Sequence, residues 1–332
     1  MNQIDWLTST DPHALLEFMT GYNVNLIGHN QPASARKLRL FNCACCRLAW
    51  QHLTEQRNRD LVELAERFAD GLATTEERRV ALYAMPACDS CEWKPEQRVA
   101  GHCAFDDGWQ QWQLLVEELN ARGWLGYPHM AALVREILGN PFRPITILNP
   151  WNCRYECKVC GAMPDDEGEL RHSRGCYSLS GDGGGSEFFD PKERQPHWLT
   201  PTVLGIARAA YNERPGRECV ACLGPGRIFD SGNEWKPHPD CRNCHGTGRI
   251  EDGRLDPDTL GVLADALSDA GCPEEVECLN PECHVTTARW PTWRCAVCGG
   301  ARLVPNPILA HLRSPGPHVR GCWAVDLILG KS

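Results

Sequence analysis

The chain lacks several features at once, and each absence removes a class of function. No run of 18 apolar residues occurs in its 332 residues, whereas a membrane-spanning helix needs about 20. The opening residues, MNQIDWLTSTDP, carry no charged-then-apolar leader, so the expected compartment is the cytoplasm. There is no H-E-x-x-H, no G-x-S-x-G, no Walker loop and no G-x-G-x-x-G opening a helix. The glycine run 181–185 is not followed by Gly-Lys-Ser/Thr and reads as a linker rather than a phosphate cradle. Acidic pairs such as Asp106-Asp107 and Asp165-Asp166 fall in loop-like stretches and read as solvated surface. The expectation is therefore a protein that is not an enzyme and has no small-molecule substrate.

A basic patch is missing too. The net charge is −9. Residues 151–198 carry six Lys/Arg against nine Asp/Glu, residues 215–254 six against six, and residues 272–304 three against four. Phosphate contacts require clustered Lys and Arg. The charge balance thus favours a protein partner over nucleic acid, and it offers nothing to an anionic membrane.

Cysteine is abundant, with 20 in the chain. In a reducing compartment that number means metal sites or reduced thiols, not a disulfide framework. One phrase occurs twice, CVACLGPGRI at 219–228 and CRNCHGTGRI at 241–250. Cys219-x2-Cys222-x18-Cys241-x2-Cys244 has the spacing of a zinc site. A C-x-x-C turn offers two sulfurs to one ion, and four thiolates close a tetrahedron that holds shape and activates no water. The glycines after each pair allow turns that a side chain would obstruct. The Arg-Ile that ends each copy reads as a short strand leaving the knuckle.

Two further stretches have ligand spacing. Cys157-x2-Cys160-x11-His172-x3-Cys176 reads as a zinc finger, with Cys153 as an alternative to His172. Cys278-x4-Cys283-x11-Cys295-x2-Cys298 reads as a zinc ribbon, with Cys272 and His284 as substitute ligands. Cys272 also suits a buried core position. About three zinc ions are expected. A fourth is possible at Cys88-x2-Cys91 with His102 or Cys103, its last ligand coming from the helix that carries Cys43, Cys45 and Cys46. That helical setting otherwise makes those three cysteines buried thiols, and Cys322 likewise reads as buried packing. Short Cys-rich inserts bury too little apolar surface to fold alone, so metal is the expected reason that they fold.

Between the Cys-rich stretches the periodicity is helical. Asp11-Pro12 starts a helix ending near Met19. Ser34 caps a second, in which Leu38, Phe41, Cys45, Leu48 and His52 share one face. Further helices are expected over 59–69, from Thr75 to before Pro86, around Trp109–Leu119, over 128–138, from Thr200-Pro201 to Tyr211, from Asp256-Pro257 to Gly271, over 307–313 and over 318–329. Residues 86–103 read as a break. The predicted class is mainly α, a helical core interrupted by three small zinc-binding β-hairpin or knuckle inserts. The core comprises 1–150, 199–214, 255–271 and 305–332. The inserts are 151–198, 215–254 and 272–304.

Two resemblances add to this reading. The double phrase resembles the C-x-x-C-x-G-x-G repeat of the DnaJ cysteine-rich region, over roughly thirty residues, and implies zinc ligation by those cysteines. His238-Pro239-Asp240 lies between the knuckles rather than between two long helices, so the co-chaperone activity does not carry over. The phrases IDWLTSTDPHALLEFM, RKLRLFNCACCRLAW, LVELAERFADGLAT, EILGNPFRPITI, WLTPTVLGIARAAYNER, LGVLADALSDAGC and HLRSPGPHVRGCWAVDLILGK resemble an uncharacterised domain family of planctomycete bacteria of the Gemmata type. That resemblance implies a small helical domain with no assigned activity, and the Cys-rich inserts are absent from the family's shorter form.

The functional expectation is a non-enzymatic zinc protein with a protein-interaction or scaffold role. Two alternatives stay open at this point. One is a single-stranded nucleic-acid binder using Arg227, Arg242, Arg249 and Arg294 with Trp235, Trp290 and Trp293 as stacking surfaces. The other is a thiol-disulfide oxidoreductase built on Cys88 and Cys91.

Overall fold

Ser34 begins the helix around which the first half of the molecule packs. Its hydroxyl accepts from the Lys37 amide at 3.3 Å, which satisfies one of the unpaired amides of a helix start. In the computed structural model, which describes residues 1–20, 33–84, 93–105, 108–142, 196–213, 217–219, 227–229, 235–237, 241, 244, 248–250, 252–278, 301 and 303–331, this helix runs Ala35–Leu48. It is α3, preceded by α1 (Gln3–Thr8) and α2 (Pro12–Thr20). Every residue from Leu38 to Arg47 is buried. A helix buried on every face must be enclosed on all sides, and its buried Arg39, Asn42 and Arg47 must be partnered there. Helices α4 (Gln56–Ala69), α6 (Pro95–Ala104), α7 (Gly108–Ala121) and α8 (Tyr127–Leu138) enclose it. Helix α5 (Thr75–Tyr83) packs outside, on α4 and α6.

Leu15, Leu38, Phe41, Leu61, Trp112, Leu115 and Leu133 fill this first core. Arg47 enters it paired, its guanidinium reaching both Glu66 oxygens at 3.1 and 2.9 Å. The bidentate pair also satisfies Glu66, which is itself buried.

A second core lies C-terminal to the first in sequence. Helices α9 (Pro201–Asn212), α10 (Pro257–Asp269), α11 (Pro307–Leu312) and α12 (Trp323–Ile328) close over Leu260, Leu263, Leu267, Leu309 and Val325. Thr200, Asp256 and Asn306 cap three of these helices with side-chain oxygens, and Pro follows each cap.

Among the described residues six short strands pair in three antiparallel ribbons. β1 (Arg217–Glu218) pairs with β4 (Arg249–Ile250), β2 (Arg227–Phe229) with β3 (Trp235–Pro237), and β5 (Glu275–Glu277) with β6 (Leu303–Pro305). The Arg-Ile ends of both copies of the repeated phrase thus begin strands, as expected. Among the described residues the chain is mostly helical with little sheet. No helix among them is long and apolar enough to cross a membrane.

The two cores meet at a buried ionic seam. Asp70, just past α4, accepts from Arg36 at 2.9 Å, from Tyr211 at 2.9 Å and from Arg320 at 2.7 Å. Lys331 lies 3.3 Å from the same carboxylate. Asp326 on α12 holds the other side of Arg36 at 2.7 Å and takes Lys37 at 2.5 Å. Burial alone would raise the Asp70 carboxyl, but the charge of Arg320 and the bonds from Arg36 and Tyr211 outweigh it. They hold Asp70 below the ordinary aspartate range.

Several helix expectations need correction. Residues 86–103 are not simply a break, because α6 begins at Pro95. Its buried face is Val99, Ala100, Cys103 and Ala104, mostly small residues that give little periodic signal. Helix α1 went unpredicted, although Asn2 and Asp5 form a reciprocal cap on it. Helix α4 begins at Gln56, before the expected 59. The last helix begins at Trp323 rather than at His318. Gly321 sits at φ +90, a conformation that breaks helical continuation and suits glycine. Residues 318–322 therefore form a turn, which positions two ligand-type side chains.

Candidate metal centres

Three predicted ligands of the repeated phrase converge. The sulfurs of Cys219, Cys241 and Cys244 all lie within 4.8 Å of one another. Cys219 Sγ is 3.7 Å from Cys241 Sγ. Thiolates around one zinc, at about 2.3 Å each, stand ~3.8 Å apart along a tetrahedral edge. The knuckle geometry is fixed by backbone. The Gly248 amide donates to Cys244 Sγ at 3.3 Å, and the Cys219 amide donates to Gly248 C=O at 2.8 Å. Gly248 reaches both through a positive φ of 73°. The register Glu218↔Arg249 places Cys219, just after β1, beside the end of the second phrase. Cys219 and Cys244 are buried.

Cys222, the fourth expected ligand, lies outside the described residues. So do Cys153, Cys157, Cys160, His172 and Cys176 of the expected finger, and Cys283, His284, Cys295 and Cys298 of the expected ribbon. Cys278 is described and buried, at the end of β5. Cys272 occupies the core position considered for it. It accepts from Asn306 Nδ2 at 3.3 Å, and burial raises its thiol to about 11.

Cys88 and Cys91 also lie outside the described residues. Of the residues expected beside them, Cys103 and the α3 cysteine Cys46 come together, whereas His102 turns away. Cys103 on α6 faces Cys46 on α3, with sulfurs 3.2 Å apart. Cys46 also donates to Val99 C=O at 3.4 Å. His102 points elsewhere, its Nδ1 being 2.7 Å from Gln111 Oε1. Burial pushes the thiols of Cys43, Cys45, Cys46 and Cys103 above the ordinary range. His52 stacks on Trp124 with ring centroids 4.6 Å apart, as a helix-end histidine rather than a ligand.

A second convergence was not anticipated from the sequence. Glu136 on α8, His311 on α11, His318 in the following turn and Cys322 before α12 bring one ligand atom each to within 4.8 Å of one another. His311 Nε2 is 3.2 Å from Cys322 Sγ and 3.4 Å from Glu136 Oε2. His318 Nδ1 is 3.2 Å from Glu136 Oε1, and its Nε2 is 2.8 Å from Ser314 C=O. Cys322 is buried as expected, but it faces a histidine rather than apolar neighbours alone. Burial would raise the Glu136 carboxyl. Bonds and charge from His311 and His318 outweigh it and hold the carboxyl well below the glutamate range. A faint signal was present, because His311-x6-His318-x3-Cys322 sets three ligand-type residues within twelve positions. The fourth ligand is 182 residues from His318, beyond the reach of any spacing rule.

Both groups are candidate metal-binding clusters, one of three cysteines and one of Glu, two His and Cys. Compared with known protein families, curated proteins and solved structures, the chain matches none.

Proposed function

We propose that the chain is a non-enzymatic zinc protein. Its Cys-rich inserts are held by structural zinc and present surfaces to a protein partner, while the helical body serves as their scaffold. The observation that supports this is the convergence of Cys219, Cys241 and Cys244 at zinc-like sulfur separation, with an amide donated to one sulfur. A site with Cys222 as its fourth thiolate leaves no position for a substrate or a reactive water. The same reading extends to Cys157, Cys160, His172 and Cys176, and to Cys278, Cys283, Cys295 and Cys298, which carry ligand spacing of the same kind. A protein partner is favoured over nucleic acid by the net charge of −9.

Two measurements test the proposal. The double variant Cys219→Ser/Cys241→Ser loses one zinc per chain by elemental analysis relative to the parent protein. Retention of the full metal content overturns the pairing. Titration with single-stranded RNA and DNA at low salt gives no binding. Binding that falls steeply with added salt instead assigns the inserts to nucleic acid.

A further inference from the structure

We propose that Glu136, His311, His318 and Cys322 form a separate metal site, a closed centre of the zinc class that pins α8 to the turn between α11 and α12.

The argument begins with a proton. Ser314 C=O can only accept, so His318 Nε2 carries the hydrogen in that 2.8 Å contact. In the neutral ring Nδ1 is then a bare lone pair, aimed at Glu136 Oε1 from 3.2 Å. Unless a second proton or a cation joins them, two electron-rich atoms meet there, both buried. A cation between them resolves the conflict. A histidine whose far nitrogen donates to a backbone carbonyl, leaving the near nitrogen for the ion, is the usual arrangement of a metal-binding imidazole.

A proton on Nδ1 could bridge that one pair, but more than one pair converges. His311 Nε2 addresses both Cys322 Sγ and Glu136 Oε2. One ion placed among the four side chains is within reach of one ligand atom from each, since those atoms lie within 4.8 Å of one another. The individual contacts, 3.2 Å for His311–Cys322, 3.2 Å for His318–Glu136 Oε1 and 3.4 Å for His311–Glu136 Oε2, are of the right size for single ligand–ligand edges. Bonds of about 2.0 Å to nitrogen or oxygen and about 2.3 Å to sulfur give tetrahedral edges of ~3.3–3.6 Å.

The donor set selects the class of metal. Two imidazoles, one carboxylate and one thiol are poor ligands for calcium or magnesium, which take oxygen. They suit zinc and its divalent transition-metal neighbours. Four protein ligands with little exposure make the site structural rather than catalytic. His311, the least buried of the four at 17 %, marks the side from which an ion enters.

The surrounding fold is arranged around this point. Glu136 lies in the last turn of α8, where the helix dipole disfavours a carboxylate. An ion there offsets that cost. Gly139 ends α8 at φ +73, and a Cβ on it would come within 3.3 Å of Trp323 Cγ. Trp323 in turn packs on His311, with ring centroids 4.8 Å apart. The residues flanking the ligands are therefore close-fitted across the boundary between the two cores.

The 332-residue chain, loaded with zinc, tests the site by metal count. Cys322→Ser and His318→Asn are each expected to lose one equivalent per chain relative to the parent while keeping their helical circular dichroism. Cys219→Ser/Cys241→Ser is expected to lose a different equivalent, so combining it with His318→Asn removes two. Full metal content in folded Cys322→Ser and His318→Asn overturns the proposal and leaves a hydrogen-bonded ionic cluster. If both variants fail to fold, Cys322→Asp decides. With a metal, the new carboxylate replaces the thiolate, so the count is kept and the cobalt-loaded form loses part of its sulfur-to-cobalt charge-transfer absorption. Unchanged absorption in that variant, at unchanged cobalt content, overturns the site.

Discussion

Replacing Asp70 by Asn removes a single charge from the seam between the two cores and changes almost no volume. The carboxylate side chain is 1 % exposed, and Arg36 and Arg320 beside it are 15 % and 10 % exposed. Removing one partner of a buried pair costs about 3–5 kcal/mol, because the other charge is left without compensation. Two features soften the loss here. Arg36 keeps its bond to Asp326 at 2.7 Å, and Tyr211 can still donate to an amide oxygen. Arg320 loses most, retaining its stacking on the Tyr211 ring at 5.0 Å. The expected cost is therefore at the lower end, about 3 kcal/mol at neutral pH.

The pH dependence fixes the mechanism. Asp70 titrates below its ordinary value in the folded chain. Its contribution to stability is then fully present above the unfolded aspartate value, about 3.9. It is lost as pH falls through the lower folded value. The gap between parent and Asp70→Asn should thus be widest near neutrality and narrow below about pH 3.9. Urea unfolding followed by helical circular dichroism at a series of pH values measures it. A gap under ~0.5 kcal/mol at pH 7, the scale of an ordinary surface change, refutes the assignment of Asp70 as the hub of the seam. So does a gap that stays constant into acid.

Two further predictions concern backbone and thiols. Gly123 and Gly321 both have positive φ, but a Cβ at Gly123 meets nothing within 4 Å, whereas at Gly321 it would lie 2.9 Å from Leu40 Cδ1 and 3.1 Å from Leu40 Cβ. Gly123→Ala should cost roughly 1–2 kcal/mol from left-handed strain, and Gly321→Ala about 1–3 kcal/mol more from overpacking; equal urea midpoints for the two variants would contradict the close approach. Cys43, Cys45, Cys46 and Cys103 are buried with raised thiols, so alkylation of the native protein, mapped by peptide mass, should leave all four unlabelled. Labelling of Cys103 at the rate of an exposed thiol would show that α6 does not pack on α3 as described.

How much of this was legible in the sequence depended on whether a signal was local. Helices with apolar periodicity, an oxygen cap and a proline or glycine at the proper end were readable, as with Pro257–Asp269 between Asp256 and Gly271. The same applies to the Arg-Ile strands after each knuckle. Helix α6 was not readable, because its buried face consists mostly of small residues and its His102 and Cys103 suggested ligands. The expected helix over 318–329 begins only at Trp323, because Gly321 at φ +90 breaks helical continuation, and a φ value is not written in the residue order. The Glu136 cluster was illegible for another reason. Its members are local on one side only, and what joins them is the docking of α12 on α8.

The β5–β6 ribbon has a consequence for how such a chain can change over time. Glu277 pairs with Leu303, and the Asn306 side chain bridges to Pro273 C=O at 2.7 Å. The polypeptide therefore leaves the bundle and re-enters it through one doorway. Whatever is threaded between those two residues starts and finishes at the same place. Lengthening it twofold costs only ~0.6 kcal/mol of closure entropy. Evolution can graft, trim or exchange the intervening cassette while the helices beneath keep their positions.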